Sequence, residues 1–131
     1  MDSGYSGTPQ LKKLGIVPGV RLAVVGADPT WHFETEPQGV ELVTSGSADV
    51  ILAFARSAAD VRELIPTLGE RIRPAGALWI AWPRKAAGHT SDVTENLLRD
   101  VALPLGLVEV KVAAIDTDWS GLKIVWRREN R

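Results

Sequence analysis

Two loops hold most of the side chains in this 131-residue chain that are able to do chemistry. The first, Trp82 to Thr94, carries Arg84 and Lys85, then His89, then Asp92. Adjacent cations beside the start of a helix make an anion site, because the free amides of a helix's first turn also favour negative charge. A phosphate or a carboxylate is the matching ligand. The same residues also describe a solvated basic loop before an ordinary capped helix. His89 is the imidazole of this loop, a candidate for proton transfer near neutral pH and equally an inert exposed side chain. The second loop, Asp116-Thr117-Asp118-Trp119-Ser120-Gly121, groups carboxylates, an indole and a hydroxyl. A carboxylate there could act as a base or hold a ligand's amine or hydroxyl. Asp, Ser and Gly are also turn formers, so a tight hairpin with Trp119 packed on a sheet edge is the plainer reading. The ligand-binding candidates from these loops are Trp82, Arg84, Lys85, His89, Asp92, Asp116, Trp119 and Ser120.

Composition narrows the chemistry further. The net charge of −1 offers no basic excess for nucleic acid or an anionic membrane, so neither partner is expected. Without cysteine there is no disulfide, thiolate nucleophile or cysteine metal site. His32 and His89 lie far apart, with no second histidine at ligand spacing, so no metal is expected. No apolar run approaches the roughly 20 residues that span a bilayer. Met1-Asp2-Ser3-Gly4 lacks the charged-then-apolar pattern of a signal, which makes the cytoplasm the expected location. At 45% hydrophobic and 24% charged residues, the chain reads as one ordinary globular domain over 11–131 behind a Gly/Ser/Pro-rich arm over 1–10. That arm holds Tyr5 and could fold across a ligand mouth or a partner subunit.

The elements that must position these loops follow from apolar spacing. Leu11 to Leu14 makes one helical turn. Arg21 to Gly26 and Val50 to Ala55 are near-continuous apolar runs, as suits strands covered on both faces. Between them, residues 27–39 form a loop with a short helix around Trp31 to Glu34, and Val40 to Val43 is a short strand. Ser57 is an N-cap for a helix from Ala58 to about Arg73, with Val61, Leu64, Ile65, Leu68 and Ile72 at helical spacing. Pro66 should kink or split it. Ala77 to Trp82 is the fourth strand, and Trp79 and Trp82 at odd separation face opposite sides of it. Asp92 with Glu95 reads as a capping box for a helix from Val93 to about Leu103. Glu109 to Ile115 and Leu122 to Arg127 are the last strands, joined too closely for a parallel crossover and hence antiparallel. Alternating strands and helices predict a three-layer, Rossmann-like α/β fold: a mostly parallel sheet ending in an antiparallel hairpin.

Residues 12–28, Lys-Lys-Leu-Gly-Ile-Val-Pro-Gly-Val-Arg-Leu-Ala-Val-Val-Gly-Ala-Asp, resemble the opening of an S-adenosylmethionine-dependent methyltransferase domain. Ser57 to Trp82 and the final hairpin extend that likeness over 11–127. The resemblance implies a glycine-rich loop after the first strand and S-adenosylmethionine as cofactor. Only Gly26 stands where several glycines would be, followed by Ala27-Asp28-Pro29-Thr30-Trp31. Glycines let a backbone approach a ligand closely, and proline and tryptophan do not. Gly26 and Asp28 join the candidates, although Asp28 comes too early to grip a ribose and Glu41 lies inside a strand. The segment between the first strand and Val50 is also too short for the superfamily's usual elements, so the cofactor half is trimmed.

Gly4-Tyr5-Ser6-Gly7-Thr8-Pro9 with Lys12-Lys13-Leu14-Gly15-Ile16, then Trp82-Pro83-Arg84-Lys85, Asp92-Val93-Thr94-Glu95 and Trp119-Ser120-Gly121-Leu122 form a second set of words. They resemble a bacterial family of small proteins designated a domain of unknown function. Arg84 departs from the lysine expected there, exchanging a point cation for a planar fork. The resulting expectation is a non-catalytic domain with a degenerate cofactor loop, which binds a small anion or nucleotide, or a protein partner or second copy. The alternative is a divergent S-adenosylmethionine-dependent methyltransferase.

Overall fold

The structure is a computed structural model that describes residues 8–131. The expectations for Tyr5 and for an arm over 1–7 lie outside the described residues. Gln10 belongs to a helix and not to the arm.

Six strands form one sheet: β1 (Arg21–Val25), β2 (Glu41–Leu42), β3 (Val50–Phe54), β4 (Ala77–Pro83), β5 (Leu107–Ala114) and β6 (Trp119–Trp126). Their order is β2-β1-β3-β4-β6-β5. Strands β2, β1, β3 and β4 are parallel, and β6 runs against both β4 and β5. The Rossmann-like mixed sheet with its C-terminal hairpin is therefore the observed fold. Helices α1 (Gln10–Leu14), α2 (Ala58–Arg71) and α3 (Glu95–Ala102) complete it.

Side-chain alternation divides the core between the two faces. On one face, Ile51, Ala53, Leu78, Ile80, Trp82, Leu122 and Ile124 meet Val61, Ile65 and Leu68 of α2 and Leu98 of α3. On the other, Leu22, Leu52, Phe54, Trp79 and Ala81 meet Leu14 of α1 and the irregular crossover between β1 and β2. Trp79 and Trp82 thus face opposite ways, as their separation requires.

Three local expectations fail for physical reasons. Helix α2 is not split at Pro66. Pro66 and Arg62, whose carbonyl loses its amide partner, both lie on the exposed side, where water substitutes. No helix forms around Trp31 to Glu34, because Trp31 turns inward onto Phe54 and leaves the backbone irregular. The third concerns Asp92, which does not cap α3. Thr94 does, accepting from Leu97 N, while Asp92 reaches across to cap Ala58 N of α2 at 2.8 Å.

Candidate functional site

The chain leaves β1 toward β2 on one side and returns to β3 on the other, so the strand order reverses between β1 and β3. Open α/β sheets bind ligands in the crevice at the carboxyl ends of such strands. Here that crevice lies between Gly26 and the residues after Phe54. Gly26 holds φ of 74°, and a Cβ there would stand 3.1 Å from the Phe54 carbonyl oxygen. The close approach of two strand ends thus already requires glycine. Arg56 spans the crevice, its Nη1 donating to the Gly26 carbonyl at 2.9 Å. Its guanidinium carbon stands 5.4 Å from the centre of the Trp119 ring.

The β4 and β6 ends bring the two sequence-predicted loops to this same edge. Arg84 N donates to Asp118 O at 2.8 Å. The Arg84 guanidinium also turns to the hairpin, donating to the carbonyls of Asp116 and Thr117 at 3.3 Å each. Asp116 organises the turn: one oxygen accepts from Asp118 N and Trp119 N, and the other from Trp31 Nε1, each at 2.9 Å. Three of its roughly four acceptor sites are thus used within the fold. Trp31, Phe54 and Trp119 pack edge to face, with ring centres 4.9 and 4.8 Å apart along the row.

Two cavities open along this edge. The larger, about 500 Å³, is lined by Arg56, Pro83, His89, Thr90, Asp118 and Trp119. Within it His89 Nε2 lies 3.0 Å from Asp118 Oδ1. The smaller, about 360 Å³, is lined by Trp82, Arg84, Lys85, Ser120 and the first turn of α3, among others. Ser120 sits opposite Trp82 in the β4–β6 ladder. The Lys85 ammonium makes no hydrogen bond or ion pair among the described residues, although the Lys85 carbonyl accepts from Gly88 N.

The predicted candidates therefore share one edge, but their roles differ. Lys85, His89, Trp119, Trp82 and Ser120 line open space. Asp92 accepts from the Ala58 amide through one oxygen, and Asp116 accepts from two backbone amides and the Trp31 indole. Asp28 is spent on Thr30, whose hydroxyl and amide bonds hold its carboxyl below the usual range. His32 is exposed, with its ring on the Phe33 carbonyl at 3.0 Å. Sequence reasoning missed Arg56. It is the first charge after the β3 apolar run, and only the strand order reveals that this run ends beside Gly26.

No family model matches the chain, and no curated protein matches it. Solved structures do. A ribosomal protein L11 methylase from Lactobacillus delbrueckii subsp. bulgaricus aligns over 91% of this chain and 76% of its own, with 13% identity and a TM-score of 0.59. Methanococcus jannaschii fibrillarin, a pre-rRNA processing protein, aligns over 85% and 68%, with 13% identity and a TM-score of 0.55. Aeropyrum pernix fibrillarin, solved with natively bound S-adenosyl-L-methionine, aligns over 93% and 70%, with 12% identity and a TM-score of 0.55. At these identities the likeness is one of fold: this chain has a methyltransferase-like Rossmann fold.

Proposed function

We propose that the protein is a divergent methyltransferase-type domain that binds an S-adenosyl compound at the carboxyl edge of its sheet. The observation that carries this reading is the cavity lined by Arg56, His89 and Trp119 beside the switch point at Gly26, on a sheet whose solved neighbours include methyltransferases. The ligand offers a flat purine and a carboxylate, and when bound it supplies an activated methyl group. Arg56 suits the carboxylate and the Trp119 ring suits the purine. Only one exposed hydrogen bond holds the guanidinium to Gly26, so exchanging a carbonyl for a carboxylate costs little. His89, oriented by Asp118, is the group at the mouth able to take a proton from an acceptor. One feature of the usual pose has no match here. Val43-Thr44-Ser45 after β2 carries no carboxylate for a ribose, and Asp28 is already bonded to Thr30.

The test is calorimetric titration and thermal unfolding with S-adenosylmethionine and S-adenosylhomocysteine. Saturable binding is expected, with about 2.7 kcal/mol of stabilisation at a hundredfold over Kd. Arg56→Ala should weaken it about tenfold or more by removing a charge-assisted contact. Absence of any shift would overturn the reading.

A second reading rests on Lys85. That lysine, unpaired beside the first turn of α3, supports a non-catalytic site for a small anion or nucleotide. Stabilisation by phosphate or nucleotides alone, abolished by Lys85→Ala, would select it. The likeness to the bacterial family named above fits either reading, since it rests on the sequence words and carries no reaction.

A further inference from the structure

The chain has five tryptophans, and three of their indole N–H groups donate within the fold. Trp31 donates to Asp116, Trp79 to the Leu14 carbonyl and Trp126 to the Gly69 carbonyl. The N–H groups of Trp82 and Trp119 have no hydrogen-bond partner among the described residues. These two tryptophans line the two cavities of the carboxyl edge. A buried indole N–H ordinarily finds a partner. Trp82 is the sharper case, being only 8% exposed. Among the described residues, the one side-chain polar atom that is both sealed from solvent and unpartnered is Arg71 Nη2. The Trp82 N–H therefore opens on the cavity that its ring lines.

The groups beside that N–H are donors as well. Ser120 stands opposite Trp82 in the β4–β6 ladder, which sets the two side chains next to each other on one face of the sheet. The Ser120 hydroxyl and the Lys85 ammonium, in the same cavity, make no hydrogen bond among the described residues. An indole N–H and an ammonium can only donate, and a hydroxyl can donate too. The carboxylate in the wall, Glu95, is engaged by Arg99 at 3.2 Å. Water can satisfy such donors one at a time. A single oxyanion satisfies them together, and the ammonium matches its charge. A cavity of about 360 Å³ admits a small molecule, and a net charge of −1 offers no track for a nucleic-acid backbone. The cavity also abuts the one lined by Arg56 and His89. Pro83 stands in the wall of both, and Ser91 of the one donates to the Arg56 carbonyl of the other at 3.2 Å. We propose that this cavity holds the acidic group, a carboxylate or a phosphate, of a small methyl acceptor, and that Trp82, Ser120 and Lys85 select it. The proposal rests on the first reading above, in which an S-adenosyl compound occupies the neighbouring cavity.

The experiment follows the indole N–H resonances of the isotope-labelled full chain by nuclear magnetic resonance. The probes are phenyl phosphate, benzoate and uncharged benzyl alcohol, with S-adenosylhomocysteine titrated separately. Trp82→Phe and Trp119→Phe assign the two signals. Phenyl phosphate or benzoate should move the Trp82 signal saturably within roughly 10 mM, the range of weak small-molecule contacts, and leave those of Trp31, Trp79 and Trp126 in place. The stronger of the two identifies the acidic group. Benzyl alcohol should act about tenfold more weakly or less. S-adenosylhomocysteine should move the Trp119 signal, and Arg56→Ala should weaken that response while sparing the one at Trp82. Lys85→Ala and Ser120→Ala should each weaken oxyanion binding about fivefold or more. Neither side chain has an internal partner to lose, so both variants should keep the parent's thermal midpoint. An unmoved Trp82 signal, an equal response to benzyl alcohol, or a response that survives Lys85→Ala overturns the oxyanion site, whatever happens at Trp119. A response at Trp82 with none at Trp119 overturns the reading of the neighbouring cavity and, with it, the acceptor role.

Discussion

The two faces of the sheet are buried to similar depth by different means. On the α2–α3 face, regular helices lay an aliphatic stripe over Ile51, Leu78, Ile80 and Ile124. Helix backbones satisfy their own polar groups, so packing and caps suffice there. On the opposite face one short helix and an irregular crossover do the same work. An irregular backbone needs outside partners, and buried polar side chains provide them. Gln10, 3% exposed, donates to the Ile115 carbonyl and accepts from Glu34 N. Trp79 donates to the Leu14 carbonyl at 3.1 Å, and Trp31 to Asp116 at 2.9 Å. Aromatic rings fill what helices would have covered, and the cover still stops short of Leu42. Where the cover is regular, stability resides in apolar area. Where it is irregular, stability resides in a few pinned polar contacts, and Leu42 is left exposed.

That contrast can be broken most directly at Trp79. Trp79→Ala should cost about 4 kcal/mol by cavity formation, against about 3 kcal/mol for Ile65→Ala on the helical face. Urea unfolding of both variants measures the difference, and a larger loss at Ile65 would reverse the ranking of the faces. Next come the polar pins. Gln10→Ala and Asp116→Ala should each cost about 2 kcal/mol, because each leaves buried or half-buried backbone groups without partners. A loss under about 0.5 kcal/mol would mean that the irregular face is held by its rings alone. On the regular face, Ser57→Ala should cost about 1 kcal/mol through loss of the α2 cap to Asp60 N, checked by the same unfolding curves. The smallest effect is acid sensitivity. The Arg21 side chain holds the Asp49 carboxyl below its usual range, as Thr30 does for Asp28. A depressed folded value means that stability from these groups is whole above about pH 4 and is lost as pH falls through that value. Asp49→Asn and Asp28→Asn should each flatten the fall in thermal midpoint at acid pH. An unchanged acid limb in both would place the acid sensitivity elsewhere.

Much of the frame was legible in the chain. The runs at Leu22, Val50 and Leu78 are apolar throughout, as only strands covered on both faces need to be. Ser57 followed by Val61, Ile65 and Leu68 marked α2, and the short link expected at 116–121 forced the hairpin, although Trp119, Ser120 and Gly121 of that link belong to β6. The site was legible in part. Arg84, His89 and Trp119 were singled out because loops at strand ends carry polar residues, and the structure brings them to one edge. What each contributes was not legible. Arg84 and Asp116 look like ligand groups by type, yet backbone carbonyls and amides of neighbouring turns engage both.

Local chemistry is written in neighbours along the chain, so the sequence by itself determined the strands, the helix caps at Ser57 and the lone glycine at the end of β1. Partners far apart in sequence were decided only by the tertiary structure. Asp92 caps a helix that begins 34 residues earlier. Arg56 bridges to Gly26 across 30 residues, and Trp31 reaches Asp116 across 85. Strand order set these meetings. It depends on how two faces of a sheet can both be covered, a property of the whole chain that no local pattern encodes.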